Sequence, residues 1–130
     1  MSKENAKKAT FKDLLEKKIQ KEKDKNKTKE IYIDSMDATL TFNKPSDDVV
    51  LDAVEIMGNE KDTRKIVEAY KNLIYLTCKT LQDVELQKEL EVVDPFDTVS
   101  ILFSLGEILE IGNQIMELVD MQGVVTEIKN

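Results

Sequence analysis

The stretch Asp94-Pro95-Phe96-Asp97, with the apolar run behind it, constrains this chain more than any other feature. Asp94 carries oxygens that can accept bonds from the free backbone N–H groups at a helix start. Pro95 suits the first helical position, where a missing N–H costs nothing. Asp97 places negative charge at the positive end of the helix dipole. Phe96, Val99, Leu102, Phe103, Leu105, Ile108, Leu109, Ile111, Ile115, Met116 and Val119 follow. This pattern predicts one long final helix that forms the core, running to about residue 121. It packs with a second apolar helical segment that begins at Asp62 or Thr63.

The other elements arrange themselves around that pair. Thr10-Phe11-Lys12-Asp13 resembles a capping box, and Phe11, Leu14, Leu15 and Ile19 follow at helical spacing. They predict a short amphipathic helix over about 10–22, too poor in apolar groups to fold alone. Lys17 to Lys29 is a low-complexity run that reads as a solvated helix tail and linker. The alternative is a nucleic-acid or membrane arm, against which stand the interleaved acids, the lack of Arg and the lack of an aromatic for stacking. Ile31-Tyr32-Ile33 and Thr39-Leu40-Thr41-Phe42 alternate with period two around Asp34-Ser35-Met36-Asp37. They predict a hairpin over about 31–42, with Ile31, Ile33, Leu40 and Phe42 inward. Ser46 caps a helix whose buried stripe is Val49, Val50, Ala53, Val54 and Met57, and Gly58 ends it. From Asp62 a helix buries Ile66, Val67, Tyr70, Leu73, Ile74, Thr77 and Leu81, with Tyr75, Leu76 and Cys78 widening the face. A short acidic helix over about 84–91 precedes the Asp94-Pro95 joint. The expected fold is therefore mainly α, a compact helical domain with a small N-terminal β-hairpin. The domain division is a basic, partly disordered arm at 1–29 and a single helical domain at 30–130. The tail from Val124 to Asn130 has no assigned place.

Composition closes several functional classes. Only four Gly and two Pro leave little turn chemistry for a many-stranded sheet. The chain has no histidine, the commonest general base and metal ligand. Its one cysteine, Cys78, lies on an apolar stripe, where it reads as core. No Gly-rich phosphate loop or G-x-S-x-G setting occurs. The acid pairs Asp48/Asp52 and Glu107/Glu110 lack the partners of a di-iron or calcium site and read as solvent-facing. The expectation is a non-enzyme with no cofactor and no metal. Residues 1–29 hold 11 Lys against 5 acids, giving +6, while residues 30–130 hold 8 basic residues against 21 acids, giving −13. The body should repel nucleic acid. Met1 to Thr10 has no apolar leader core, and Val99 to Leu109 is too short and too polar to span a bilayer. The single cysteine suits a reducing cytoplasm.

The final helix carries one anomaly. Asp97, Ser100, Ser104 and Glu107 form a polar stripe, but Glu110, Asn113, Gln114, Glu117 and Asp120 lie about a quarter turn away. The apolar face rotates between Gly106 and Gly112. Two explanations stand: a bend between two neighbours, or a second half that offers Ile108, Ile111, Ile115 and Leu118 to a partner or another copy. With Phe11, Leu14, Leu15 and Ile19 of the arm, these are the candidate partner-binding residues.

Several strings resemble the XkdN-like phage tail assembly chaperones. They are Phe11-Lys12-Asp13-Leu14-Leu15 with its Lys-rich sequel, Ile31-Tyr32-Ile33 and Pro45-Ser46-Asp47-Asp48. Asn72-Leu73-Ile74-Tyr75 leading to Cys78 continues them, and Asp94-Pro95-Phe96-Asp97 with Leu105-Gly106-Glu107-Ile108 ends them. The resemblance covers most of the chain and consists of structural strings. It implies a small protein of the bacterial host cytoplasm, encoded by a long-tailed phage, prophage or phage-tail-like particle. Such a protein binds the tape measure protein, helps tail tube protein polymerise around it, and is absent from the finished particle. A homo-oligomer is compatible with it. Two alternatives stay open: a small acidic phage regulator of a host protein, and a minor structural tail subunit.

Overall fold

The helix starts follow the side-chain chemistry at their first residues. The computed structural model describes residues 6–58 and 62–119. In it α1 (Phe11–Asp24) opens on a complete capping box. The Asp13 N–H donates to Thr10 Oγ1 at 3.2 Å, and the Thr10 N–H donates to Asp13 Oδ2 at 2.8 Å. Helix α2 (Asp47–Met57) starts from the Ser46 hydroxyl, which accepts the Val49 N–H, and stops at Gly58, where φ is 62°. Helix α3 (Thr63–Thr77) starts from the Asp62 carboxylate. Helix α4 (Val84–Glu89) starts from Asp83, which accepts from both Glu85 and Leu86.

Between α1 and α2 lies the antiparallel hairpin β1 (Thr28–Ile33) and β2 (Ala38–Asn43), in register from Thr28 against Asn43 to Ile33 against Ala38. Ile31, Ile33 and Phe42 face the core and Leu40 is half-buried, as the alternation predicts. The strand starts earlier than expected. Thr28 and Lys29 pair within it, and the Lys44 N–H extends the ladder to the Lys27 carbonyl at 2.9 Å. Strand β1 thus takes in Thr28 and Lys29 ahead of the alternating Ile31-Tyr32-Ile33. Lys29 shares the alternating face with Ile31 and Ile33, and its stem leads inward.

The final helix is two helices. Helix α5 (Asp97–Leu102) ends as Phe103 turns extended, and α6 (Leu105–Met116) begins anew. Ser104 and Glu107 form a second complete capping box, at 3.2 and 2.9 Å. This S-x-x-E signature is the physical cause of the rotated apolar face. Phe103 is buried at the joint, while Leu102 and Leu105, expected in the core, are exposed. Asp94 does accept a backbone N–H, from Phe96 at 3.1 Å, but this builds a turn that ends where α5 starts.

The core centres on α3, which meets α2, α5, α6 and β2. Ala69, Tyr70, Leu73, Ile74 and Thr77 are its buried face. The helix stops without Gly or Pro. Thr77 Oγ1 donates back to the Leu73 carbonyl at 2.8 Å, and Gln82 Nε2 donates to the Tyr75 carbonyl at 2.8 Å. Cys78 is extended there, and Leu81 returns to the core from a short 3₁₀ turn, so the expected helix past Thr77 is absent. At its crossing with α6 the Tyr70 side chain lies against the Gly112 backbone. A Cβ on Gly112 would lie 2.2 Å from Tyr70 Cδ2. The Tyr70 hydroxyl donates to Asn113 Oδ1 at 2.8 Å beside it. Two polar ties fasten the hairpin to α6. Lys29 Nζ donates to the Gln114 carbonyl at 3.3 Å and pairs with the Glu117 carboxylate, at the negative end of the α6 dipole. At the other end Ser35 Oγ donates to Glu107 Oε2 at 2.6 Å. The fold is mainly α-helical with this one hairpin among the described residues. The expectations for the tail after Gly123 and for residues 1–5 lie outside the described residues.

Candidate partner-binding surface

Helix α1 is built well locally and packs poorly. Its cap is complete, and Lys18–Glu22 and Lys27–Asp24 pair at 3.9 and 3.2 Å along its surface. The Thr10 backbone N–H, then the Thr10 hydroxyl and the Lys7 ammonium, hold the Asp13 carboxyl below its usual range. Yet no residue of α1 is buried. Phe11, Leu14, Leu15 and Ile19 are 79, 63, 48 and 52% exposed. All four share one face, because their spacing follows the helical repeat. The stripe is a run of large apolar side chains that the described residues leave exposed.

The second half of the candidate set lies elsewhere. Ile108, Ile111 and Ile115 are 4, 2 and 0% exposed, and Leu118 is half-buried. These isoleucines form the core with α3 and the hairpin, so a partner reaches them only if α6 moves. The reason is the helix break: a new start at Ser104 turns the second apolar face onto the body. The structure thus separates the two groups that the sequence reading joined.

A groove not singled out by the sequence runs between α2, α3 and the turn before α5. It holds about 540 Å³ and is lined by Val49, Asp52, Ala53, Glu55, Ile56, Asn72, Leu73, Leu76 and Phe96. Ala53 and Leu73 are buried beneath it, and Val49 and Ile56 are half-buried at its sides. Phe96 closes it, held against the Tyr75 ring with centroids 4.7 Å apart. Leu76 stands 44% exposed at its edge. One signal was available: Leu76 lies outside the single stripe that α3 needs to pack.

Several other chemistry-bearing residues are buried or hydrogen-bonded within the fold. Cys78 is fully buried. Glu107 is engaged by its capping box and by Ser35. The Ser104 backbone N–H first, and the Ser35 hydroxyl next, lower its pKa. Glu110 accepts from Gln114 Nε2 at 3.0 Å. Tyr32 donates to Asp37 Oδ1 at 2.6 Å, and that carboxylate raises the phenol pKa. Among the described residues no three His, Cys, Asp or Glu side chains stand grouped as a metal would need, and no helix is long and apolar enough to cross a membrane. No protein-family model, curated protein or solved structure matches the chain.

Proposed function

We propose that this protein is a tail assembly chaperone of a phage, prophage or phage-tail-like particle, acting in the bacterial cytoplasm. It holds the tape measure protein while tail tube subunits polymerise around it. The observation that carries the proposal is the α1 stripe, four large apolar side chains on a helix that buries none of them. An amphipathic helix of this kind recognises an apolar, helical client through anchors at i, i+3, i+4 and i+8. The acidic body favours a protein client over nucleic acid. The resemblance of the sequence strings to XkdN-like chaperones supplies the client's identity.

The test is co-expression with the tape measure protein of the same tail-gene cluster. The complex should co-purify, the tape measure protein should gain soluble yield, and Leu14→Glu with Leu15→Glu should abolish both. Mass spectrometry of finished particles should find the protein absent. Its presence there would favour a structural subunit. Tight DNA binding at moderate salt without a tape measure complex would overturn the proposal.

A further inference from the structure

We propose that the α2–α3 groove receives α1 of a second copy, so that two chains form a closed two-fold dimer by exchanging arms. The inference shares the α1 stripe with the proposed function but concerns a different partner. The groove is apolar inside, with Ala53 and Leu73 as floor and Val49, Ile56, Leu76 and Phe96 as walls. Its charged lining residues among the described residues are Asp52 and Glu55, both exposed, and none of the described lysines or the arginine lines it. The arm is its complement. At roughly 100° per residue, Lys12, Lys18 and Lys21 fall within or beside the Phe11–Ile19 stripe, while Asp13, Glu16 and Asp24 fall on the reverse face. Glu22 is the exception, and it pairs with Lys18. Laid in the groove, the stripe buries apolar against apolar and sets lysines on the acidic rim.

The chain's own arm does not fill its own groove. Only Lys25, Asn26 and Lys27 join α1 to β1, and their backbone N–H groups donate to Lys21, Lys23 and Asp24 in turn. That hydrogen-bonded connection fixes the direction of α1, and the stripe stands exposed. A second copy has no such constraint, and exchange of an identical element is a low-cost route to a symmetric dimer. A 14-residue helix is about 21 Å long and about 10 Å wide. Two arms in two grooves would bury on the order of 800 Å² in all, below the roughly 1,200–2,000 Å² of stable complexes. The dimer is therefore weak and reversible, and a client can displace it.

Light scattering of the full-length protein alone, over a concentration series, reads the exchange. The mass should rise from monomer to dimer and no further. Lys18→Glu with Lys21→Glu should weaken self-association at least about tenfold, because like charges then face each other. Asp52→Lys with Glu55→Lys should do the same, and all four changes in one chain should restore the dimer. None of these positions is buried, so circular dichroism should show each variant folded. A protein that stays monomeric at every concentration, a dimer indifferent to either reversal, a mass that climbs past dimer, or a failure of the four-fold variant to recover would each overturn the exchange. None of those results touches client binding, which co-purification reads separately.

Discussion

Helices α1 and α6 start in the same way and end in opposite situations. Each opens on a complete capping box, Thr10 with Asp13 and Ser104 with Glu107. Each carries apolar residues at helical spacing. Yet α6 buries Ile108, Ile111, Gly112, Ile115 and Met116, and α1 buries nothing. The cap decides where a helix begins. It does not decide whether the helix contributes to the fold, because helical stability in proteins comes mostly from tertiary packing. What separates the two is the number of large apolar groups per turn and the presence of Gly112, which lets α6 lie against Tyr70. Local chemistry is alike in the two helices, and packing differs entirely.

The sharpest way to break this comparison is the same charge in both helices. Ile115→Glu puts an ion into a site with 0% exposure. It should cost more than about 4 kcal/mol and abolish cooperative melting. Leu15→Glu in α1 should leave the melting temperature almost unchanged, within about 0.5 kcal/mol of stability. Equal losses in thermal melting would mean that α1 docks on its own body. The glycines of α6 give a second, smaller contrast. Gly112→Ala sets a methyl 2.2 Å from Tyr70 Cδ2 and 2.9 Å from Tyr70 Cβ. The contact is at the root of the ring, so the whole side chain must shift, at a cost of about 1–3 kcal/mol. Gly106→Ala meets nothing within 4 Å and should stabilise by about 0.5 kcal/mol through helix propensity. Denaturant unfolding of the two variants should move in opposite directions.

Much of the fold was legible because it depends on local signals. The Thr10, Ser46 and Asp62 caps, the Gly58 stop and the period-two strands are each written within a few residues. The break at Ser104 is equally local, but Ser104 and Glu107 also fall on the polar stripe of a continuous helix, and that stripe masks their capping box. The stop after Thr77 was not legible, since it depends on a Gln82 side chain that folds back to the Tyr75 carbonyl. Lys29 was hidden by its Lys-rich neighbours, although it keeps the β1 alternation. The candidate surface divides along the same line. The arm residues are exposed because nothing among the described residues covers them. The buried state of Ile108, Ile111 and Ile115 follows from the new helix direction, which no single-helix count could give. The groove needed the α2–α3 pairing, a contact between elements separate in sequence.

Caps themselves should sharpen the contrast at about the 1 kcal/mol level. Ser104→Ala removes the acceptor for the Glu107 N–H in a helix that belongs to the core. It should lower global stability by about 1 kcal/mol. Thr10→Ala removes the equivalent acceptor in α1. It should reduce far-ultraviolet helicity and leave the cooperative transition where it was. A matching drop in both midpoints would show that α1 unfolds together with the body.

The smallest effect is read by pH. Glu107 and Asp13 both have lowered pKa values, each caused first by the backbone N–H of its own cap residue. A carboxylate of this kind stabilises its helix start above the ordinary value of the unfolded chain. That contribution fades as pH falls through the lower, folded value. For Glu107 the loss reaches the core, because the same carboxylate also accepts from Ser35 in the hairpin turn. For Asp13 it reaches only α1. Melting temperature against pH should therefore show wild type above Glu107→Gln at neutral pH, with the two curves converging below the normal glutamate range. Asp13→Asn should follow wild type throughout, while its helical signal drops at neutral pH. Parallel curves for wild type and Glu107→Gln would show that ionisation of Glu107 adds nothing to stability, and that α6 holds against the hairpin whatever the charge of that side chain.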